Sequence, residues 1–310
     1  MGTAFSRGTL TLLLTAHSLP AAAAGMGEEF MRVRAQGVTS TELAIDNDSL
    51  LLKRDDGFYT SGAMLGQRFA LLREGGALVY GWRISQALYT NSNINLKPEQ
   101  FGSPDHPYAG WLFGGVFREV RGDDGTTLRY GIDLGCLGPC AGGEWSQTAL
   151  HRILRQKLPQ GWAKQVRNEV GVVLDVEASP WRWRRGPQLD LAPNFHGRFG
   201  NIFTDAGAGL TLRAGQLDFN PLRSSLHFYL RADVDAVGHN ATLQGGYFSR
   251  DNPHTVAPKR LVGEAELGAE LRDGAIGVRA SVVRRGNEIS GLPNSIGTQN
   301  FVRLLFSYAP

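Results

Sequence analysis

The chain has 310 residues, including 40 glycines, and only 20% of its residues are charged. Its formal net charge of +3 is too small to favour a nucleic-acid-binding protein. Many glycines and few charges suit the strands of a membrane barrel, because an Arg or Lys facing lipid at the bilayer midplane costs about 2–4 kcal/mol.

The first 24 residues have the features of a secretory signal peptide. Arg7 precedes a short apolar run, and four alanines at 21–24 supply the small residues that signal peptidase needs. We therefore expect cleavage near Ala24, followed by a short periplasmic segment at residues 25–40. A membrane-spanning helix needs about twenty predominantly apolar residues, and no later window of the sequence offers them.

Residues 41–310 contain twelve stretches in which apolar side chains alternate with polar or small ones, the pattern of a half-buried strand. They are residues 42–48, 61–72, 78–89, 109–120, 128–137, 169–179, 188–199, 204–213, 226–237, 261–271, 275–284 and 300–308. Their even number lets both ends of a single-chain bacterial barrel lie at one rim.

The connections between these stretches alternate in length along most of the chain. Long connections at 49–60, 90–108, 138–168, 238–260 and 285–299 are separated by shorter ones rich in turn formers, with 200–203 and 214–225 as exceptions. A soluble sandwich can share the strand pattern, but its connectors would not be expected to alternate in this way. We predict an all-β fold: a twelve-stranded antiparallel transmembrane β-barrel with long outward loops.

One outward loop is predicted to carry a short helix. From residue 144 to 157 apolar residues recur at helical spacing, while Gln147, His151 and Arg155 follow one another on a different face. Pro159 and Gly161 are expected to end the helix. A solvated surface histidine is the simplest interpretation of His151, but the polar clusters in neighbouring outward loops favour a functional one.

Cys136 and Cys140 lie at the start of the same loop. In an oxidising compartment such a pair can form a disulfide, but the geometry of so small a ring is demanding, so the sequence leaves both states open. A redox-catalytic role is not indicated, because the Cys-x-x-Cys spacing is absent.

Several separate motifs resemble the LpxR-type lipid A deacylases. They are Asn47-Asp48, the sequences DGFYTSG at 56–62, QALYT at 86–90 and DHPYAGW at 105–111, and Gln147 and His151 followed by Gly161-Trp162, Gln165 and Asn168. The resemblance covers about residues 43–168. It implies an outer-membrane barrel that removes the 3′-acyloxyacyl chain of lipid A in a Ca²⁺-dependent reaction near the outer leaflet.

The resemblance also implies roles for individual residues. The catalytic positions are Asn47, Asp48, Thr60 and His151; the substrate-binding positions are Tyr59, Lys97 and Gln147; Asp48 and Asn47 are the candidate Ca²⁺ ligands. The expected partner is lipopolysaccharide in the outer membrane, and the protein is expected to act as a monomer without nucleic acid.

The chemistry of these residues agrees with ester hydrolysis, which needs an activated nucleophile and a group that stabilises charge on the carbonyl oxygen. The chain has no Gly-x-Ser-x-Gly nucleophile elbow. An imidazole titrates near neutral pH, so His151 is a candidate base for deprotonating water. Asp48 is expected to orient that imidazole or to bind a cation, since Ca²⁺ takes oxygen ligands.

Two other functions are consistent with the sequence. An outer-membrane phospholipase would share the ester chemistry and Ca²⁺, but it would need a serine beside the histidine. A barrel that conducts solutes or displays adhesive loops would need no catalytic group at all. His106, in the DHPYAGW motif, is a lesser candidate base.

Overall fold

The computed structural model describes residues 18–51, 57–102, 104–218 and 223–310, with side chains from residue 25 onward. Most of the predicted signal peptide, residues 1–24, lies outside these residues, and so does the first residue of the DGFYTSG motif. The predicted cleavage near Ala24 stays a prediction.

Twelve antiparallel strands close into a barrel, as the sequence predicts. Each strand pairs with its neighbours along the chain, the first pairs with the last, and a two-residue strand, β7, extends the edge at β8. The strands are β1 Val38–Asn47, β2 Phe58–Arg73, β3 Gly76–Thr90, β4 Ala109–Gly122, β5 Thr127–Leu137, β6 Glu169–Ser179, β7 Trp183–Arg184, β8 Leu189–Gly200, β9 Phe203–Gln216, β10 Ser225–Asn240, β11 Leu261–Asp273, β12 Ile276–Arg285 and β13 Gln299–Tyr308.

Four helices accompany the strands in the described part of the chain: α1 Ser18–Gln36, α2 Gly143–Ile153, α3 Ala241–Gln244 and α4 Asn294–Gly297. The helix predicted in the outward loop is confirmed as α2. None of these helices is long and apolar enough to cross a membrane.

The two faces of each strand differ in polarity because successive side chains point to opposite sides of the sheet. Along β6, Val170, Val172, Leu174 and Val176 are exposed on the outer face, whereas Asp175 is buried inside the barrel. An apolar band therefore surrounds the barrel, and the polar side chains turn inward.

Ion pairs between strands occupy much of the interior. Arg83 lies 2.9 Å from Asp133 and 3.1 Å from Asp175. Arg303 bridges Asp46 at 3.2 Å and Glu266 at 3.0 Å. Each guanidinium thus joins two carboxylates, which compensates part of the cost of burying these charges.

The two rims of the barrel differ in the length of their connections. At the short-turn rim, tight turns join β2 to β3, β4 to β5 and β11 to β12. The β2–β3 turn requires glycine, because Gly76 has φ +145° and a Cβ there would lie 1.8 Å from the Arg121 carbonyl oxygen. At the long-loop rim lie the ends of β1, β3 and β5 and the loop that carries α2.

Helix α1 packs against the outer wall near the short-turn rim. Phe30 meets Phe69 and Tyr80 edge to face at 6.1 and 5.6 Å, and Val33 is fully buried. Glu29 lies 2.7 Å from Arg118, which belongs to the same outer face of β4 as exposed residues such as Val116. The helix therefore covers a guanidinium that would otherwise be exposed on the outer wall.

Candidate active site

The antiparallel register brings the predicted site residues to one rim. Asn47 pairs with Ser61 across β1 and β2, and the far end of β3 pairs with the starts of β2 and β4. The loop that carries His151 leaves β5 at Leu137, at the same rim. The predicted catalytic positions Asn47, Asp48, Thr60 and His151 thus share the long-loop rim.

A side-chain turn holds the end of β1. The Asn47 Oδ1 accepts hydrogen bonds from the Ser49 backbone N–H at 2.8 Å and from the Ser49 hydroxyl. Asp48 is buried, and its Oδ2 accepts a hydrogen bond from the Gly57 N–H at 3.1 Å. Asn47 therefore ends the strand in the manner of an Asx-turn, and Asp48 joins the end of β1 to the start of β2.

A β-bulge separates Thr60 from Tyr59. The register between β2 and β3 shifts between Tyr59 and Ser61, so Thr60 is an extra residue, and such bulges redirect side chains. The Thr60 hydroxyl lies 2.7 Å from that of Thr90, and both residues are buried. Thr90 belongs to the QALYT motif, but its contact with Thr60 cannot be read from sequence.

Tyr59 faces the interior of the barrel. Its hydroxyl donates a hydrogen bond to Asp46 Oδ2 at 3.1 Å, and its ring centroid lies 5.0 Å from that of Phe301. The predicted role of Tyr59 in substrate binding stays a prediction, and the side chain contributes to the interior network.

Asn91, directly after β3, was missed by the sequence analysis. The residue is 1% exposed, and neither atom of its amide has a hydrogen-bond partner among the residues that the structure describes. Leaving a buried polar group unpaired costs about 1–3 kcal/mol. The Asn91 amide is therefore a candidate group for binding a substrate or an ion, and only its burial in the structure identifies it.

The segment after Asn91 is tied to the DHPYAGW motif. Asp105 Oδ1 accepts hydrogen bonds from the backbone N–H groups of Ser92 and His106, at 2.9 and 2.7 Å. Its Oδ2 accepts a hydrogen bond from the Ser92 hydroxyl at 2.9 Å. Asp105 therefore fixes the loop after β3 against the start of β4.

His106 is buried behind this loop. Its ring stacks on Tyr89 with centroids 5.4 Å apart, and its Nδ1 lies 2.6 Å from the Pro107 carbonyl oxygen. Burial lowers the pKa of His106, because a charged imidazole is disfavoured away from water. A carbonyl oxygen can only accept, so Nδ1 carries a proton, and burial favours the neutral ring.

Helix α2 presents its polar face to the protein. Gln147 and His151 are buried, whereas Trp145 and Ile153 are 77% and 76% exposed on the opposite face. Gln147 Oε1 accepts a hydrogen bond from the Trp162 indole N–H at 2.9 Å. The prediction that Gln147 and His151 share a face is confirmed.

The predicted end of this helix is wrong. Arg155 was expected on the face of His151, but it adopts φ +55° and is exposed beyond the last helical residue, Ile153. The Arg155 N–H bonds to the Arg152 carbonyl at 3.3 Å and the Gln156 N–H to the His151 carbonyl at 2.8 Å. These bonds form a Schellman turn, so the helix ends before Pro159.

This turn determines which nitrogen of the neutral His151 ring carries the proton. The turn brings the Lys157 carbonyl oxygen to 2.6 Å from His151 Nδ1. Because a carbonyl oxygen accepts and cannot donate, Nδ1 carries the proton of the neutral ring. Nε2 is then the nitrogen that can accept a proton.

An aromatic cluster joins the α2 loop to the β3–β4 loop. Tyr108 packs against Trp162 with ring centroids 5.1 Å apart, and Leu88 and Phe101 complete the cluster. Gly161 fits closely here, since a Cβ would lie 2.0 Å from the Tyr108 ring. The two loops therefore form one packed unit.

Two lysines lie on this unit. Lys97 is exposed at the start of a short 3₁₀ helix at Pro98–Gln100. Lys164 was not predicted, and its ammonium donates a hydrogen bond to the Pro98 carbonyl at 3.0 Å. The predicted substrate contact of Lys97 stays a prediction.

Cys136 and Cys140 form a disulfide, with their Cα atoms 6.0 Å apart. The Cys140 N–H donates a hydrogen bond to Asn168 Oδ1 at 2.8 Å. The two ends of the loop that carries α2 are therefore linked beside the barrel wall.

The donors available for Ca²⁺ are oxygen atoms. Asp48 supplies a carboxylate, and Asn91 supplies a buried amide oxygen that has no partner in the described part of the chain. The Asp48 carboxylate accepts a hydrogen bond from the Gly57 N–H, and a Cβ on Gly57 would lie 3.5 Å from the backbone carbonyl oxygen of Asn91. Asn47 Oδ1 is already bonded to Ser49. No group of three or more Asp, Glu, His or Cys side chains that could hold a metal occurs among the residues that the structure describes.

Comparison with known proteins identifies relatives. The family model described as "Outer membrane protein LpxR" matches residues 9–309. No match was found among curated proteins. The fold is similar to the solved structure of LpxR from Salmonella typhimurium, with a TM-score of 0.73 and 20% identity over 87% of this chain and 100% of that one.

A second solved structure matches more weakly. The beta domain of the Bordetella autotransporter BrkA has a TM-score of 0.49 and 12% identity over 88% of this chain and 98% of that one.

Proposed function

The chain belongs to the LpxR family of outer membrane proteins, and we propose that it is a lipid A 3′-O-deacylase. It would hydrolyse the ester of the 3′-acyloxyacyl chain at the outer leaflet, acting as a monomer on lipopolysaccharide. The observation that carries the proposal is the hydrogen bond between His151 Nδ1 and the Lys157 carbonyl, because it leaves Nε2 as the basic nitrogen of a buried ring.

The proposed reaction is a direct attack by water. His151 Nε2 takes a proton from water, whose oxygen bonds to the ester carbonyl carbon and pushes an electron pair onto the carbonyl oxygen. When the tetrahedral intermediate collapses, the bond to the lipid A oxygen breaks. The imidazolium returns its proton to that oxygen, which leaves a 3′-hydroxyl and a free fatty acid, whose carboxyl group then releases its proton to solvent.

The buried residues beside β1 and β2 would support this reaction. Asp48 carries negative charge next to the rim and would favour the imidazolium that forms on His151. The hydroxyls of Thr60 and Thr90, 2.7 Å apart, would hydrogen-bond substrate or water, one of them donating. Asn47 would contribute by holding the turn that presents Asp48.

Substrate binding would use both the loop that carries α2 and the β3–β4 loop packed against it. The exposed apolar side chains of α2, Trp145, Leu150, Ile153 and Leu154, suit insertion among acyl chains, as in helices that lie at a membrane interface. Lys97 would meet the anionic head group. Gln147 is bonded to Trp162, so its part would be to hold the helix in place.

Calcium remains part of the proposal through the family resemblance. Asp48 and the Asn91 amide oxygen would hold the ion, with other ligands from backbone carbonyls and water, since Ca²⁺ takes roughly six to eight oxygens. When bound, the ion would supply positive charge that polarises the ester carbonyl.

The test is mass spectrometry of lipid A from cells that express the protein. Loss of a 3′-acyloxyacyl unit is expected. Intact lipid A together with lysophospholipid would instead indicate a phospholipase, and unchanged lipids in cells that contain folded barrel would indicate a non-enzymatic barrel.

A further inference from the structure

An apolar groove lies on the outer wall of the barrel next to the long-loop rim. Its volume is about 780 Å³, which is within the roughly 300–1,000 Å³ of pockets that bind small molecules. Phe199 of β8 and Leu261 of β11 are 70% and 68% exposed in it. The other apolar side chains of its lining include Leu174, Val176, Ala206 and Ala236. Because β6, β8, β9, β10 and β11 pair in that order, the groove crosses the wall from β6 to β11.

The groove is separate from the candidate active site. Helix α2, which carries His151, contacts β3 and β4, whereas the groove lies on the strands from β6 to β11. The β8–β9 turn marks its rim end, and Asn201 in that turn bonds to the backbone of Val170 and Val172 on β6. None of the residues assigned above to catalysis, to substrate or to Ca²⁺ lines the groove.

One arginine lies at the rim end of the groove. Arg260 is exposed, directly precedes β11 and lines the groove beside Leu261. Its Nη1 donates hydrogen bonds to the Val237 and Gly238 carbonyls, at 3.1 and 2.6 Å, while Nε and Nη2 have no partner in the described part of the chain. Because a guanidinium is a fixed fork of five donors, the two backbone bonds hold Arg260 in place and leave its other donors available to a ligand.

The other charged residues of the lining belong to the barrel interior. Arg198 lies 2.6 Å from Asp205, and Asp175 lies 3.1 Å from Arg83. These side chains alternate with the outward ones along their strands, so they lie behind the floor of the groove. Among the described residues, Arg260 is therefore the charge that a molecule in the groove would meet, and most of the remaining surface is apolar.

The β10–β11 loop places aromatic side chains at this part of the rim. Phe248 is 81% exposed, and Tyr247 stacks on His239 with ring centroids 4.0 Å apart. The Glu169 carboxylate fixes the loop beside the β8–β9 turn, since it accepts hydrogen bonds from the Phe248 N–H at 3.0 Å and from Asn201 Nδ2 at 2.7 Å. Aromatic side chains at a barrel rim are typical of the membrane–water interface. The rim end of the groove, with Arg260, is therefore expected at the level of the lipid head groups.

We propose that the groove binds a lipid A molecule other than the substrate, with an acyl chain in the groove and a phosphate on Arg260. An apolar channel that ends at a guanidinium fits an acyl chain attached to a phosphorylated head group, because phosphate oxygens match the guanidinium fork. The long-loop rim faces the outer leaflet, and lipid A is the phosphorylated, acylated lipid that the proposed function places there. The inference rests on the presence of lipid A at that rim and does not depend on its hydrolysis.

The test counts lipid A molecules on the full-length mature barrel by native mass spectrometry, in detergent without Ca²⁺, as bisphosphorylated lipid A is titrated. Ala206→Leu places a larger side chain in the groove and should remove one bound molecule per barrel. Arg260→Gln should weaken the binding of that molecule by roughly tenfold or more, and lipid A without phosphates should bind the wild type as weakly. The count falls from two to one if the candidate active site also holds lipid A, and from one to none if it does not, so this result is distinct from the test of the proposed function.

Matched controls use the outer face of β12, outside the groove. Ala280→Leu makes the same change at an exposed alanine, and Arg284→Gln alters an exposed arginine that bonds to Asn300 through one nitrogen; both should leave the count unchanged. If Ala206→Leu does not fold, Ala236→Leu replaces it, because Ala236 is the cross-strand partner of Ala206 in the groove.

An unchanged count in a folded groove variant, or an equal loss in Ala206→Leu and Ala280→Leu, would overturn the proposal. Tighter binding of phosphatidylglycerol than of lipid A at the groove would also overturn it, by assigning the groove to a phospholipid. A dimer of barrels that Ala206→Leu dissociates would overturn it by assigning the groove to a second copy of the chain.

Discussion

Replacing His151 by alanine tests the proposed base most directly. A positioned general base contributes roughly 10²- to 10⁴-fold to rate, and each factor of ten corresponds to about 1.36 kcal/mol of activation free energy. Removing the base should therefore raise the activation barrier by about 2.7–5.4 kcal/mol. The expected deacylation rate is at most about one hundredth of the wild-type rate.

The same substitution should have little effect on folding. Among the residues that the structure describes, it removes the hydrogen bond from His151 Nδ1 to the Lys157 carbonyl at 2.6 Å, and such a bond contributes about 0.5–1.5 kcal/mol to stability. The barrel pairing itself is untouched. Heat-modifiable migration on gels should therefore be that of the wild type.

The assay compares the fraction of 3′-deacylated lipid A, measured by mass spectrometry, at equal amounts of folded protein. His254→Ala is the matched control, because His254 is also a rim histidine bonded to a backbone carbonyl, that of Asp105, at 2.8 Å. Activity within tenfold of wild type in His151→Ala would remove this residue from the mechanism. Equal loss in both variants would point to damage of the rim instead of loss of a base.

Three further outcomes are expected. Ca²⁺ is expected to raise the unfolding temperature, and Asp48→Ala should weaken that rise; an unchanged calcium titration would exclude Asp48 from the proposed metal site. Asn91→Leu should leave the unfolding temperature the same or higher, because the buried amide has no partner among the described residues, and it should lower deacylation. Full activity would mean that the amide serves neither substrate nor ion. Arg118 donates a hydrogen bond to Glu29 and lowers the pKa of the Glu29 carboxyl. This pair should therefore stabilise α1 at pH values above the pKa of about 4.3 that glutamate has in the unfolded chain. The stabilisation should be lost as the pH falls through the lower pKa of Glu29 in the folded protein. The measurement is the resistance of residues 25–36 to protease as a function of pH. Glu29→Gln should abolish the loss of resistance at low pH that the Glu29–Arg118 pair causes, and an unaltered pH profile in this variant would contradict the prediction.

The barrel could be predicted because polarity is imposed at every second residue. Along β6, the lipid side selects Val170, Val172, Leu174 and Val176, and the interior selects residues such as Asp175. That constraint acts on each strand separately, so the twelve stretches can be recognised one at a time. The alternation of connector lengths then fixes which rim carries the loops.

Features that depend on the closed barrel could not be predicted. The surface that helix α1 covers, which includes Phe69 and Tyr80, exists only after β2 and β3 have paired. The bulge at Thr60 adds one residue to an alternating pattern, which moves the following side chains to the other face. Because the bulge interrupts the alternation, the sequence pattern did not show that Tyr59 faces the barrel interior while Thr60 belongs to the candidate site.

The end of α2 shows why a correct helix prediction still left the site undefined. Proline and glycine mark helix ends statistically, and the chain offers them at Pro159 and Gly161. The chain turns four residues earlier than Pro159, at Arg155, whose left-handed conformation is uncommon for a residue with a side chain. That early turn is what carries the Lys157 carbonyl back to His151. The assignment of the basic nitrogen therefore follows from the place where the helix stops, and a helix continuing to residue 157 would have left the ring without this partner.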